Sequence, residues 1–159
     1  MSQADGPCPR LSLAVQYASD VSDLPKRAQI RRWIQSSLNH SADITVRFVD
    51  EVEARALNRD YRDKDYATNV LTFDYNESES GIERNMISGD IVICAAVVEK
   101  EAAAQHKRLI DHYAHLIVHG VLHLQGFDHE DAADADIMET REAAILKRFG
   151  IANPYLSDI

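Results

Sequence analysis

The chain has 159 residues, 45% hydrophobic and 27% charged, with a formal net charge of −9. That balance describes one globular domain able to bury a core without disulfides and excludes a disordered chain, while the negative charge argues against non-specific polyanion binding without excluding a local basic patch. No apolar run approaches the roughly 18 residues that cross a bilayer. The first ten residues, MSQADGPCPR, hold no apolar signal core, so the expectation is a cytoplasmic protein with a flexible tail over residues 1–10.

In chain order, residues 11–17 (LSLAVQY) alternate like a strand. Residues 22–40 read as a helix. Pro25 stands near its first turn, where a missing N–H does no harm, and Leu24, Ile30, Trp33, Ile34 and Leu38 form its buried stripe. In residues 43–50 (DITVRFVD), Ile44, Val46 and Phe48 alternate with polar residues, the mark of a half-buried strand. Asp50 precedes Glu53 by three, close to a capping box, and opens a helix through about Arg59. Residues 69–75 (NVLTFDY) read as a third strand and 76–88 as a polar loop or hairpin tip. GDIVICAAVV, from Gly89, begins as a strand covered on both faces and turns helical from about Val97. Asp90 reads as a turn residue. Cys94 falls in this apolar run and Cys8 in the tail, both as free thiols.

Residues 108–126 form a strongly apolar helix that Gly126 ends in a left-handed cap. Residues 130–150 form a last helix, acidic at its start and basic at its end, in accord with the macrodipole. There is no repeat, linker or domain boundary. Four strands with helices before, between and after them imply an α+β fold: a single domain over residues 1–159, with a mixed, roughly four-stranded sheet packed with helices.

The segment HGVLHLQGFDH (residues 119–129) carries the chemistry. His119 and His123 are four apart, so their Cβ atoms lie about 5–6 Å apart on one helix face. Gly126 lets the chain fold back so that His129 joins them. Three neutral nitrogens with a position left open is the arrangement of a catalytic zinc, placed here at the end of a buried helix. Imidazole also suits nickel, copper or iron. The spacing matches that of metzincin peptidases, whose glutamate after the first histidine acts as base; here that residue is Gly120, which cannot take a proton.

The same segment resembles the signature H-G-x-L-H-L-x-G-[YF]-D-H of the YbeY family of bacterial metal-dependent single-strand endoribonucleases. LNRDYRDKDYATNVLTF (residues 57–73) resembles the family's L-N-x-x-Y-R-x-K-D-x-x-T-[ND]-V-L-[ST]-F, GDIVIC resembles its following strand, and HLIVHG matches the lead into the signature. Phe127 stands where tyrosine is commoner, and Ala67 where proline often stands. The resemblance implies that His119, His123 and His129 hold one zinc ion per chain and that Arg62 is the arginine associated with catalysis. It implies action on single-stranded ribosomal RNA, including small-subunit 3′-end maturation, and ribosome quality control. The small ribosomal subunit and ribosomal proteins are then the expected partners, with no membrane. The chemistry agrees: zinc lowers the pKa of water towards about 7, and an arginine fork matches phosphoryl oxygens. Arg62 reaches the metal if the YRDKDYATN loop folds over it. Either water or the RNA 2′-hydroxyl is then the nucleophile.

Other residues carry weaker signals. Asp128 orients His129 or caps the next helix, with a role as base the alternative. His115, one turn before His119, is structural or faces substrate, and His112 continues the same stripe. Arg59 and Lys64 are phosphate contacts or solvated side chains. The competing functions are another zinc hydrolase, disfavoured as a peptidase by Gly120, and a ribosome assembly factor with a structural metal.

Overall fold

A computed structural model describes residues 9–75, 86–127 and 130–155. The expected tail up to Cys8, the polar stretch 76–85, and Asp128 and His129 lie outside the described residues. The elements run β1 (Leu11–Ala18), α1 (Arg27–Ser37), β2 (Ser41–Val49), α2 (Glu51–Arg62), β3 (Val70–Asp74), β4 (Met86–Cys94), α3 (Ala95–Ala104), α4 (Leu109–Leu124) and α5 (Ala132–Lys147). The sheet order is β1-β2-β4-β3. β1 and β4 run parallel to β2, and β3 pairs antiparallel with β4, so the sheet is mixed, as expected.

Alternation along the strands divides the core into two layers. Ile44, Val46 and Phe48 of β2, with Ile91 and Ile93 of β4, point into the larger core, where α1 contributes Ile30, Trp33 and Ile34 and α4 contributes Ile117, Val121 and Leu122. Val49, Leu71, Val92 and Cys94 face a smaller cluster under α2. β4 is therefore covered on both faces, which is why its sequence is nearly continuously apolar. Met138, Ile145 and Leu146 of α5 join the larger core. No helix among the described residues is long and apolar enough to cross a membrane.

Several boundaries differ from the expectations, each for a local reason. α1 begins at Arg27, later than the expected start near residue 22, with Pro25 just ahead of its cap residue Lys26; Gln29 accepts from the Lys26 N–H at 2.9 Å, and the Pro25 carbonyl accepts from Tyr17 at 2.7 Å. Asp50 caps α2 through the Glu53 N–H at 3.0 Å. The Glu53 carboxylate does not complete a capping box, because Arg47 takes it in a two-pronged pair at 2.9 and 3.0 Å. α2 runs a turn beyond Arg59, to Arg62. Met86–Ser88, read as part of a polar loop, are strand residues paired with Ser41–Asp43 of β2. Pairing with β2, which the polar residues just before them in sequence did not suggest, makes them β. Asp90 is likewise inside β4, opposite Phe73, rather than in a turn. α3 begins at Ala95, two residues before Val97, once Cys94 has donated its N–H to the Asn69 carbonyl at 2.9 Å.

α4 lies very close to the β4–β3 half of the sheet. A Cβ on Gly120 would stand 3.2 Å from Ile91 and 3.3 Å from Thr72. One on Gly89 would stand 2.7 Å from the Phe73 carbonyl oxygen and 2.8 Å from Leu124. At Gly120 the neighbours are side-chain ends that can shift; at Gly89 one is backbone of the edge strand. Gly89→Ala is therefore expected to destabilise the fold by about 1–3 kcal/mol, the usual cost of overpacking, and by more than Gly120→Ala. Urea unfolding midpoints of the two variants check the order, and equal midpoints would contradict it.

Candidate metal and phosphate cleft

Four histidines project from α4, and their surroundings sort them. His112 is buried, and its Nε2 donates to Glu101 at 2.9 Å; Glu101 also accepts from Asn69 at 3.0 Å. This ring ties α4 to α3 and to the start of β3. Burial lowers its pKa despite the carboxylate. His115, one turn on, bonds through Nε2 to Glu142 at 3.0 Å and to the Tyr155 hydroxyl at 3.1 Å. His119 bonds through Nδ1 to the other oxygen of Glu142 at 2.7 Å. His123 stands exposed at the end of the helix.

Glu142 is 0% exposed. Burial alone raises a carboxyl pKa, but His115, His119 and Tyr155 outweigh it and hold Glu142 down at about 2. Tyr155 donates to it at 2.5 Å. Three donors thus satisfy a charge that would otherwise be costly to bury. With Nδ1–H of His119 given to a carboxylate, Nε2 carries the ring's lone pair. A carboxylate that fixes the tautomer and orientation of a histidine is the usual support of a metal ligand.

Past His123 the helix closes in a Schellman turn. Gly126 (φ +100°) donates to the His123 carbonyl at 3.0 Å and Phe127 to the Leu122 carbonyl at 3.1 Å. This is the left-handed cap expected of Gly126, and it turns the chain back just before residues 128 and 129. Asp128 and His129 are outside the described residues, and among those described no set of three His, Cys, Asp or Glu could hold a metal ion.

At the β3 edge opens a cavity of about 310 Å³ lined by Arg62, Thr72, His119, His123 and Glu130, with walls from Val70 and Leu71. Arg62 comes to it from the last turn of α2, not from a loop folded over the site. The loop after it is pinned to α2. Asp63 takes the left-handed cap position (φ 60°), Asn58 donates to the Tyr66 carbonyl at 2.8 Å, and Arg55 grips Asp65 at 2.8 and 3.0 Å. Arg59 and Lys64 are exposed and are not among the described residues lining the cavity. His115 is not among them either; it sits behind His119, on Glu142. The sequence carries no signal that marks Glu130, Glu142 or Tyr155 as site residues. Glu142 lies on a helix whose many acidic residues hide it, and nothing in its spacing marks it as buried.

The cavity joins two imidazoles, a guanidinium and a carboxylate. It offers nitrogen ligands for a borderline-soft divalent cation and a planar donor for an oxyanion. Known proteins similar to this chain point to one family. The family model described as Endoribonuclease YbeY matches residues 15–150. A protein of Thiobacillus denitrificans named Endoribonuclease YbeY is 65% identical over 94% of this chain and 99% of its own length. An Azoarcus protein of the same name is 55% identical over 92% of this chain, which spans 60% of that longer protein. The solution structure of TM1509 from Thermotoga maritima is similar in fold, with a TM-score of 0.53 at 19% identity over 91% of this chain and 99% of that one.

The buried carboxylate gives a test of the metal fit. Glu142→Gln keeps the shape but removes the charge that orients His119. Zinc affinity measured by chelator competition is expected to fall about 10–100-fold. Glu101→Gln, at the other histidine–carboxylate pair of α4, is expected to leave it unchanged. Equal effects from both would mean that Glu142 serves the fold alone.

Proposed function

The chain belongs to the endoribonuclease YbeY family, and from that membership we propose that it is a metal-dependent endoribonuclease cleaving single-stranded ribosomal RNA, in small-subunit 3′-end maturation and in ribosome quality control. The small ribosomal subunit is then its working partner. The observation that carries the reading is the single cavity lined by Arg62, His119 and His123.

In this reading one zinc ion per chain would be held by the imidazoles of His119, His123 and His129. When bound, it supplies Lewis acidity at the phosphoryl oxygens. The chain's own residues do the rest. Arg62 binds the scissile phosphate through its planar fork and stays charged as negative charge builds on the oxygens. Glu142 holds the His119 ring in one tautomer. Glu130 brings to the cavity a carboxylate that accepts the nucleophile's proton. As the new P–O bond forms, the old one breaks and its oxygen leaves with the electron pair. Water and the neighbouring 2′-hydroxyl are both suitable nucleophiles, and a 2′,3′-cyclic phosphate product identifies the second.

Peptidase chemistry fits poorly. A side chain at position 120 would start against Ile91 and Thr72 of the sheet. A glutamate there would be directed into the packing, so the glycine's role is close approach.

Arg62→Lys keeps the charge and loses the fork. Single-turnover cleavage of a single-stranded RNA is expected to slow by about 10²–10³, the effect of removing one transition-state donor. Zinc content is expected to stay near one per chain, because arginine is no ligand, whereas His119→Ala is expected to lose the metal. Cleavage by Arg62→Lys at the wild-type rate would remove this residue from the mechanism. A wild-type protein that holds zinc and cuts no RNA would favour an assembly factor with a structural metal.

A further inference from the structure

On the α2 face of β3, opposite the packing surface of α4, lies a second groove of about 250 Å³. Phe73 and Val92 line it with Tyr61, Tyr75, Arg47 and Asp90. Two features set it apart from ordinary surface. Its aromatic rings are left to solvent, Tyr61 being 68% and Tyr75 54% exposed. Its polar groups are also already arranged. The Tyr61 ring meets Phe73 edge-on, with centroids 5.1 Å apart at 76°. Tyr75 donates its hydroxyl to Asp90 at 2.6 Å, and that bond, with burial, holds the phenol up at about 12, so it remains a donor.

The charge of the groove selects its occupant. Arg47 is taken by Glu53 in a two-pronged pair, so two carboxylates, Glu53 and Asp90, stand against one guanidinium. A phosphate is disfavoured there. A flat neutral ring bearing N–H donors is favoured, since the Tyr61 face can stack it and Asp90 can accept from it.

The groove is also continuous in sequence with the cleft. Tyr61 and Arg62 are neighbours on the last turn of α2. Consecutive helical residues diverge by about 100°, given 3.6 residues per turn. One therefore lines the groove and the other the cleft, on the two sides of the β3 edge.

We propose that the groove beside Tyr61 is a nucleobase subsite, where one base of the RNA strand stacks on Tyr61 and donates to Asp90 while a neighbouring phosphate lies at Arg62. The inference rests on the nuclease reading and adds where the strand runs: across the edge of the sheet, phosphate on one side and base on the other. Stacking on an exposed ring is tolerant of base identity, whereas the carboxylate favours bases with an exocyclic amine, so uracil is the poorest occupant.

The test uses the zinc-loaded protein and a fluorescent single-stranded RNA, read by anisotropy for binding and separately for single-turnover cleavage. Tyr61→Ala is expected to weaken binding about 5–100-fold, the range for loss of one stacked base, with zinc content unchanged and the thermal midpoint lowered only slightly, by loss of the edge-on contact with Phe73. Tyr61→Phe, which keeps the ring, is expected to bind as wild type. Making one nucleotide of the RNA abasic is expected to weaken wild-type binding at a single position, and to cost nothing further in Tyr61→Ala. Wild-type affinity in Tyr61→Ala, or abasic and alanine effects that simply multiply, would overturn the subsite while leaving the nuclease intact. A wild-type protein that neither binds nor cleaves RNA would bring down the nuclease reading itself.

Discussion

A single buried carboxylate organises the functional end of this molecule. Glu142 has no solvent to stabilise it, so its charge depends wholly on His115, His119 and Tyr155. The dependence is mutual. Two histidines a turn apart on α4 are held by one residue of α5, and the segment after α5 returns to complete the set through Tyr155. The helix pair and the segment behind it therefore act as one rigid backing for His119. An exposed imidazole would rotate freely; this one presents a fixed nitrogen. Whatever cation or phosphate occupies the cavity meets a ring already oriented, so little ordering remains to be done on binding.

The other constraint is distance. α4 brings its histidines to the β3 edge because Gly120 and Gly89 let helix and sheet approach where larger residues would hold them apart. α2 reaches the same edge from the opposite face, and its extra turn beyond Arg59 carries Arg62 there. Asn69 and Glu101 couple these parts, since Asn69 accepts the Cys94 N–H at its carbonyl and donates to the carboxylate that also takes His112. Two faces of one sheet thus converge on one edge, and the residues that meet there are separated by more than fifty positions in the chain.

Much of this was legible in advance, and the limits have physical causes. The strands and helices could be read because periodicity survives in a single sequence: Ile44, Val46 and Phe48 are all buried, as are Ile30, Trp33 and Ile34. The boundaries were harder, because they depend on partners. Met86–Ser88 are strand only because β2 runs alongside, and Glu53 left its expected capping role only because Arg47 lies within reach. The histidine pair showed itself by spacing. Its support did not, since Glu142 is one acidic residue among many on α5 until the fold buries it. Arg62 was found by resemblance to known motifs; composition and spacing alone do not distinguish it from Arg59.

The edge strand at which the cleft opens has one further consequence. Among the described residues, β3 is hydrogen-bonded to a neighbouring strand on one side only. An open edge is an invitation to another polypeptide, and proteins ordinarily guard such edges against runaway association with short strands and charge. This one is five residues long, ends in Asp74 and has Arg62 at its margin. On the function proposed above, the same features leave the edge open to a different polymer, whose charged backbone would meet a guanidinium instead of a ladder of amides. Protection from aggregation and access for substrate would then be met by one piece of geometry. A change that lengthened β3 or neutralised its margin would put both at risk together.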